Sequence, residues 1–181
     1  MNLRRELSKE VQTRLNAGER KSAIYTALKT KFSAVSVERA LAQWPTPEAK
    51  VQNKTRNVPL IIITVFFALL HILQMTAAFQ PLETSQRLMV LPLAALPLII
   101  YAYIIYGIKN CNLIGYLLVL LMSIRALLNV AQAGAFTSQA MMLAAMSVAA
   151  IALTLIQKRK LFPNTSWFLR HKRDANGEIL F

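Results

Sequence analysis

The 181 residues suffice for one bundle of membrane helices and a small soluble appendage, and their 55% apolar share exceeds the roughly 45–50% of soluble proteins. The formal net charge is +13 although only 16% of residues are charged, and all but Arg87 and Arg125 of the 21 Lys and Arg lie in residues 1–57, at Lys109 or in residues 158–173. Cations gathered beside apolar runs mark a membrane protein rather than a nucleic-acid binder, and the single Cys111 excludes an internal disulfide.

Residues 1–45 read as a small cytosolic domain of three helices. Leu3, Leu7, Val11 and Leu15 form one apolar stripe, and Asn16-Ala17-Gly18 stops that helix with a glycine past its end. A second helix over residues 22–32 carries Ile24, Ala27, Leu28 and Phe32 on one face. Ser36 is a candidate cap for a third, over residues 36–43, with Val37, Ala40 and Leu41 inward before Trp44-Pro45 ends it. Its would-be reading positions offer only Glu38, Arg39 and Gln43, so a helix-turn-helix bound to nucleic acid is not expected. Residues 46–57 follow as a basic linker or helical stalk, with Thr46-Pro47-Glu48 as a helix start.

Four apolar runs come next, at 58–79, 88–108, 113–131 and 139–156, each close to the ~17–25 residues of a spanning helix. No cleavable signal peptide is expected, so the first run should act as an uncleaved anchor. The connections Gln80–Arg87, Lys109–Asn112 and Gln132–Ser138 are short, which predicts antiparallel neighbours and a four-helix transmembrane bundle over residues 58–157. The positive-inside bias places both termini and Lys109 in the cytoplasm, leaving Arg87 outside beside Glu83. The expected fold is all-α, the expected location the bacterial inner (plasma) membrane, and the bilayer the first partner.

The tail, residues 158–181, is basic and aromatic. Lys158, Arg159, Lys160 and Trp167 are expected at lipid headgroups, and Asn176-Gly177 marks the turn of a possible small hairpin.

The polar residues of the runs coincide in depth. His71 lies about 20 Å into the first run and Arg125 about 18 Å into the third, at 1.5 Å per residue. Thr64, His71 and Gln74 share one helical face, and Arg125, Asn129 and Gln132 another. This predicts a polar seam in which Arg125 and Asn129 reach His71 and Gln74. The seam either binds an anion, headgroup or polar group of a partner, or fixes helix register by interhelical hydrogen bonds worth ~0.6 kcal/mol each. The four runs contain no Asp or Glu, which argues against a cation-coupled carrier, and no nucleophile triad, CxxC, HExxH or phosphate loop occurs. No metal site and no cofactor are expected. Pro92 and Pro97 mark a kink or cavity wall in the second run, and Tyr101, Tyr103 and Tyr106 read as interface anchors. The Ala-rich run 139–156 suits close packing within the bundle or a face for a second copy.

Four short-looped helices of modest size without catalytic residues resemble, in architecture alone, the bacterial inner-membrane immunity proteins against pore-forming toxins. That resemblance implies a non-enzymatic protein acting by recognition of another macromolecule, of immunity, assembly or regulator type, with an unidentified protein partner. The alternative is a small transporter or channel using the seam.

Overall fold

The computed structural model describes residues 3–81, 83–134 and 137–181. Parts of the two connections expected outside, at Leu82 and at Ala135 and Phe136, lie outside the described residues, as does the side chain of Arg87. Helices α1 (Leu3–Asn16), α2 (Lys21–Leu28), α3 (Ala34–Gln43) and α4 (Pro47–Asn53) precede a 3-10 turn (Thr55–Asn57), α5 (Val58–Phe79), α6 (Thr84–Lys109), α7 (Leu113–Ala133) and α8 (Ser138–Leu161). The described residues hold no strand, only isolated bridges pairing Thr165 with His171 and Arg173 with Ile179.

The first three helices gather around their own core. Leu7, Val11 and Leu15 of α1 meet Ile24 and Leu28 of α2 and Val37, Ala40, Leu41 and Trp44 of the α3 segment, all buried. Leu3 begins the same stripe but is exposed. Gly18, at φ +84°, ends α1, where the Glu19 amide donates to the Arg14 carbonyl at 3.1 Å. Two boundaries differ from the sequence reading. α2 stops at Leu28, whose carbonyl accepts the amides of Lys31 and Phe32, and Ala27 points outward. The cap of α3 is Ser33 rather than Ser36, its hydroxyl accepting the Ser36 N–H at 3.4 Å while bonding the Ser36 hydroxyl at 2.7 Å.

The basic segment after Trp44 is helical. Thr46 caps α4 by accepting the Ala49 N–H, and Pro47 occupies the first turn where its missing N–H costs nothing. The turn Thr55–Asn57 then runs directly into α5.

Three helical stretches, Thr55–Phe79, Leu113–Gln132 and Ser138–Leu161, are long and apolar enough to cross a membrane; in α6 the described apolar part is Ala95–Lys109. Their outward faces are apolar too: Ile62, Leu73, Leu121, Leu128, Met141 and Val148 are all exposed in the isolated chain. Water is a poor solvent for so much outward apolar surface, and lipid a good one. Thr64, buried in α5, returns its hydroxyl to the Leu60 carbonyl at 2.8 Å, satisfying a polar group on an otherwise apolar helix.

Neighbouring helices are antiparallel. The Asn57 amide donates to the Ile108 carbonyl at 3.1 Å and the Gln157 amide to the Arg56 carbonyl at 2.9 Å. The starts of α5 and α7 and the ends of α6 and α8 therefore meet at one end of the helix cluster. α7 packs on α6 and α8, and α5 on α6 and to a lesser degree on α8. Gly107 and Gly115 let α6 and α7 touch backbone to backbone, since a Cβ built on Gly115 would stand 2.8 Å from the Gly107 carbonyl carbon. In α8, Ser147, Ala150 and Thr154 are buried, whereas Ala145, Ala149 and Ala152 face outward.

The tail is not a free hairpin. Lys158–Lys160 form the last turn of α8, and the chain then folds back over the first three helices. Glu38 accepts the His171 backbone N–H at 3.1 Å and pairs with Arg173 at 3.7 Å, while the Phe181 ring lies 5.4 Å from that of Tyr25. Asn176-Gly177 does form a turn, closed by Asp174, whose carboxylate accepts the amides of Asn176 and Glu178. Across this turn residues 172–174 pair with 178–180, the Leu180 amide donating to the Lys172 carbonyl at 2.9 Å and the Asp174 amide to the Glu178 carbonyl at 3.0 Å. A short hairpin-like pairing is thus present, and it is docked on α2 and α3.

Candidate functional site

Two groups of polar residues stand out along α5–α8, one that closes a hydrogen-bonded node and one that lines a cavity. The node lies where the four helix ends meet. Asn57, 2% exposed, donates to the Ile108 carbonyl and to Cys111 Sγ at 3.2 Å, and accepts the Tyr116 hydroxyl at 2.8 Å. Tyr116 is fully buried, and its ring meets Phe162 edge-on at 6.3 Å. Cys111 sits at φ +55° in the three-residue connection between α6 and α7, and burial raises its thiol above the ordinary value. Both polar atoms of the Asn57 side chain are engaged, so this residue ties the helix ends together.

The second group faces a cavity of about 330 Å³. His71 and Gln74 of α5 and Arg125 and Asn129 of α7 all line it, with Tyr101 and Pro97 of α6 and Leu143 of α8. Gln132, two turns beyond Arg125, does not. The expected direct seam between α5 and α7 is absent among the described residues: no hydrogen bond joins Arg125 or Asn129 to His71 or Gln74. The reason is packing order, since α7 is seated on α6 and α8 and α5 on α6, which leaves α5 and α7 facing across a gap. Tyr101 belongs to that gap rather than to an interface belt. It is 8% exposed with its ring 6.1 Å from the His71 imidazole, while Tyr103 and Tyr106 point outward.

The electrostatics of the cavity are one-sided. Arg125 has no ion pair among the described residues, and no carboxylate lines the cavity. His71 Nε2 is buried without a hydrogen-bond partner among the described residues. A guanidinium, an imidazole and two amides supply donors from two helices, which suits a carboxylate or another oxyanion. They include no carboxylate to relay a proton. Among the described residues no three His, Cys, Asp or Glu stand close enough to hold a metal ion.

The residues expected at headgroups are placed on the α8 end and the tail. Lys158 Nζ lies 5.8 Å from the Trp167 ring centroid, a cation–π distance; Arg159 is exposed and Lys160 borders a second, smaller cavity. Comparisons with protein-family models, curated proteins and solved structures find no match for this chain.

Asn57, Tyr116 and Gln157 were not legible as a site. The depth argument that pairs His71 with Arg125 applies equally at the entry level, where Asn57 precedes one run and Tyr116 opens another. An asparagine in a basic stretch gives no sign of burial until its partner is known.

Proposed function

We propose that this chain is a non-enzymatic inner-membrane protein of bacteria that recognises another membrane protein through the Arg125 cavity. Helices α5–α8 each cross the bilayer, and both termini are cytoplasmic because nearly all Lys and Arg stand at the end where α5 starts and α8 finishes. α1–α3 with the docked tail form the cytosolic domain. The observation that carries the reading is the unpaired Arg125 facing a cavity it shares with His71 and Asn129. A cation at this depth costs at least ~2.5 kcal/mol on insertion scales, a cost an acidic side chain of a partner helix would offset. The outward alanines Ala145, Ala149 and Ala152 offer a separate face for close helix approach by a second copy.

The test is a photoreactive residue at Gln74 in native membranes. A discrete cross-linked protein is expected that disappears in Arg125→Leu and returns in part with Arg125→Lys. A cross-link indifferent to Arg125, or none in folded protein, overturns the reading. A second reading, passage of a small organic anion, draws on the cavity volume, which falls within the ~300–1,000 Å³ of small-molecule sites. Arg125-dependent uptake into proteoliposomes of the purified protein alone would select it over partner recognition.

A further inference from the structure

We infer that the cleft between the start of α2, the start of α4 and the end of α8 binds a phosphate group, held by Lys21, Lys160 and His171. The inference stands apart from the Arg125 cavity and uses none of its residues. The cleft has a volume of about 140 Å³, room for several waters or one tetrahedral oxyanion. Lys21, Lys160 and His171 line it together with the apolar Leu161, Phe162 and Pro163, the Asn164 amide is engaged by the Phe181 carbonyl at 3.3 Å, and no acidic side chain is among the described lining residues.

Three features point to an absent anion. His171 is only 6% exposed, yet neither ring nitrogen has a hydrogen-bond partner among the described residues. Buried imidazole nitrogens are ordinarily satisfied, and each one left bare carries a desolvation penalty. Lys21, which lines the cleft, gives one N–H to the Leu41 carbonyl at 3.1 Å and has two further donors. Glu38, which accepts the His171 backbone N–H and pairs with Arg173, borders a neighbouring cavity with His171 and is not among the residues lining this cleft.

The proton affinities agree. Burial lowers Lys21 to about 8, and burial together with the Lys21 charge lowers His171 to about 4. Both groups sit where a positive charge is disfavoured, and a doubly charged oxyanion between them reverses that. A phosphate monoester, with several acceptor oxygens and up to two charges, matches donors arriving from three elements better than a single carboxylate does. The apolar lining continues the end of α8, so the group comes either on a lipid headgroup or as free phosphate.

The experiment uses the full chain with ¹⁵N-labelled histidine, His171 being told from His71 by the His171→Gln variant. In detergent micelles the His171 titration is followed with and without inorganic phosphate. In nanodiscs it is followed in phosphatidylcholine with and without phosphatidic acid. Saturation is expected to raise the His171 midpoint by about 1–3 pH units. A rise with inorganic phosphate assigns a soluble ligand, and a rise only with phosphatidic acid assigns a lipid headgroup. Lys160→Ala, at an exposed position, is expected to weaken binding about tenfold without unfolding, and Lys21→Met to weaken it further. A His171 midpoint unmoved by both ligands overturns the inference, as does a shift that survives intact in Lys160→Ala and Lys21→Met.

Discussion

Asn57 shows how far one side chain can hold several helix ends together. It contacts the last turn of α6, the following connection and the first turn of α7, and its backbone starts α5. Replacing it with leucine takes the acceptor from the buried Tyr116 hydroxyl, at a cost of about 1–3 kcal/mol, while the Ile108 carbonyl keeps the Cys111 N–H at 3.0 Å. The expected outcome is a lowered thermal midpoint in detergent and faster reaction of Cys111, buried in the native protein, with a thiol reagent. Adding Tyr116→Phe should recover part of the loss, because two apolar groups facing one another strand nothing. Arg125 and His71 could be singled out from the sequence because polar residues are rare inside apolar runs. Asn57 could not, since polar residues are common in the basic stretch where it sits.

At the scale of elements, the contact between α6 and α7 turns on Gly107 and Gly115. Sequence periodicity cannot reveal it, because a glycine in an apolar run reads the same whether it faces lipid or a neighbouring backbone. Gly115→Ala places a methyl 2.8 Å from main-chain atoms of α6, which cannot retreat as a flexible side chain would. The expected cost is about 1–3 kcal/mol, read as a lower unfolding midpoint, and Gly107→Ala should behave alike. The first three helices and the four long ones were legible from apolar spacing, as were the start of α5 and the stop at Gly18, whereas α4 has no apolar stripe and showed only in its Thr46-Pro47-Glu48 start. Their ends were less so: α8 runs on through Lys158–Lys160 because long basic side chains extend to water without breaking a helix. The ring order that opens a gap between α5 and α7 depends on which faces pack, and no run announces that alone.

The molecule as a whole joins its two ends, since the tail lies across α2 and α3 through His171, Arg173 and Phe181. Docking should therefore respond to pH. His171 titrates near 4 when docked and near its ordinary 6.5 when released, so the released state takes up more protons between those values. Docking is expected to weaken as pH falls from about 6.5 toward 4 and to change little from this group below that. Lys21, at about 8 in the folded chain, adds stability as pH rises from 8 toward 10.5. The groups around His171 are Lys21 on α2, Glu38 and Arg39 on α3, Lys160 on α8, Arg170 and Arg173 of the tail and the Phe181 ring. Proteolysis of the tail at graded pH measures the effect, and His171→Gln should flatten the acid limb. A reporter fused after Phe181 is expected to be active only in the cytoplasm, and activity outside would contradict four crossings.

Both tryptophans of the chain, Trp44 and Trp167, lie outside the stretches Thr55–Phe79, Leu113–Gln132 and Ser138–Leu161, one in the core of the first three helices and one beside Lys158. Indole emission thus watches the basic end of the protein and is blind to the interior of the hydrophobic helices. Circular dichroism at 222 nm, weighted toward α5–α8 by their length, watches the rest. Heating one sample under both lights would show whether the watery and oily halves come apart together or in turn.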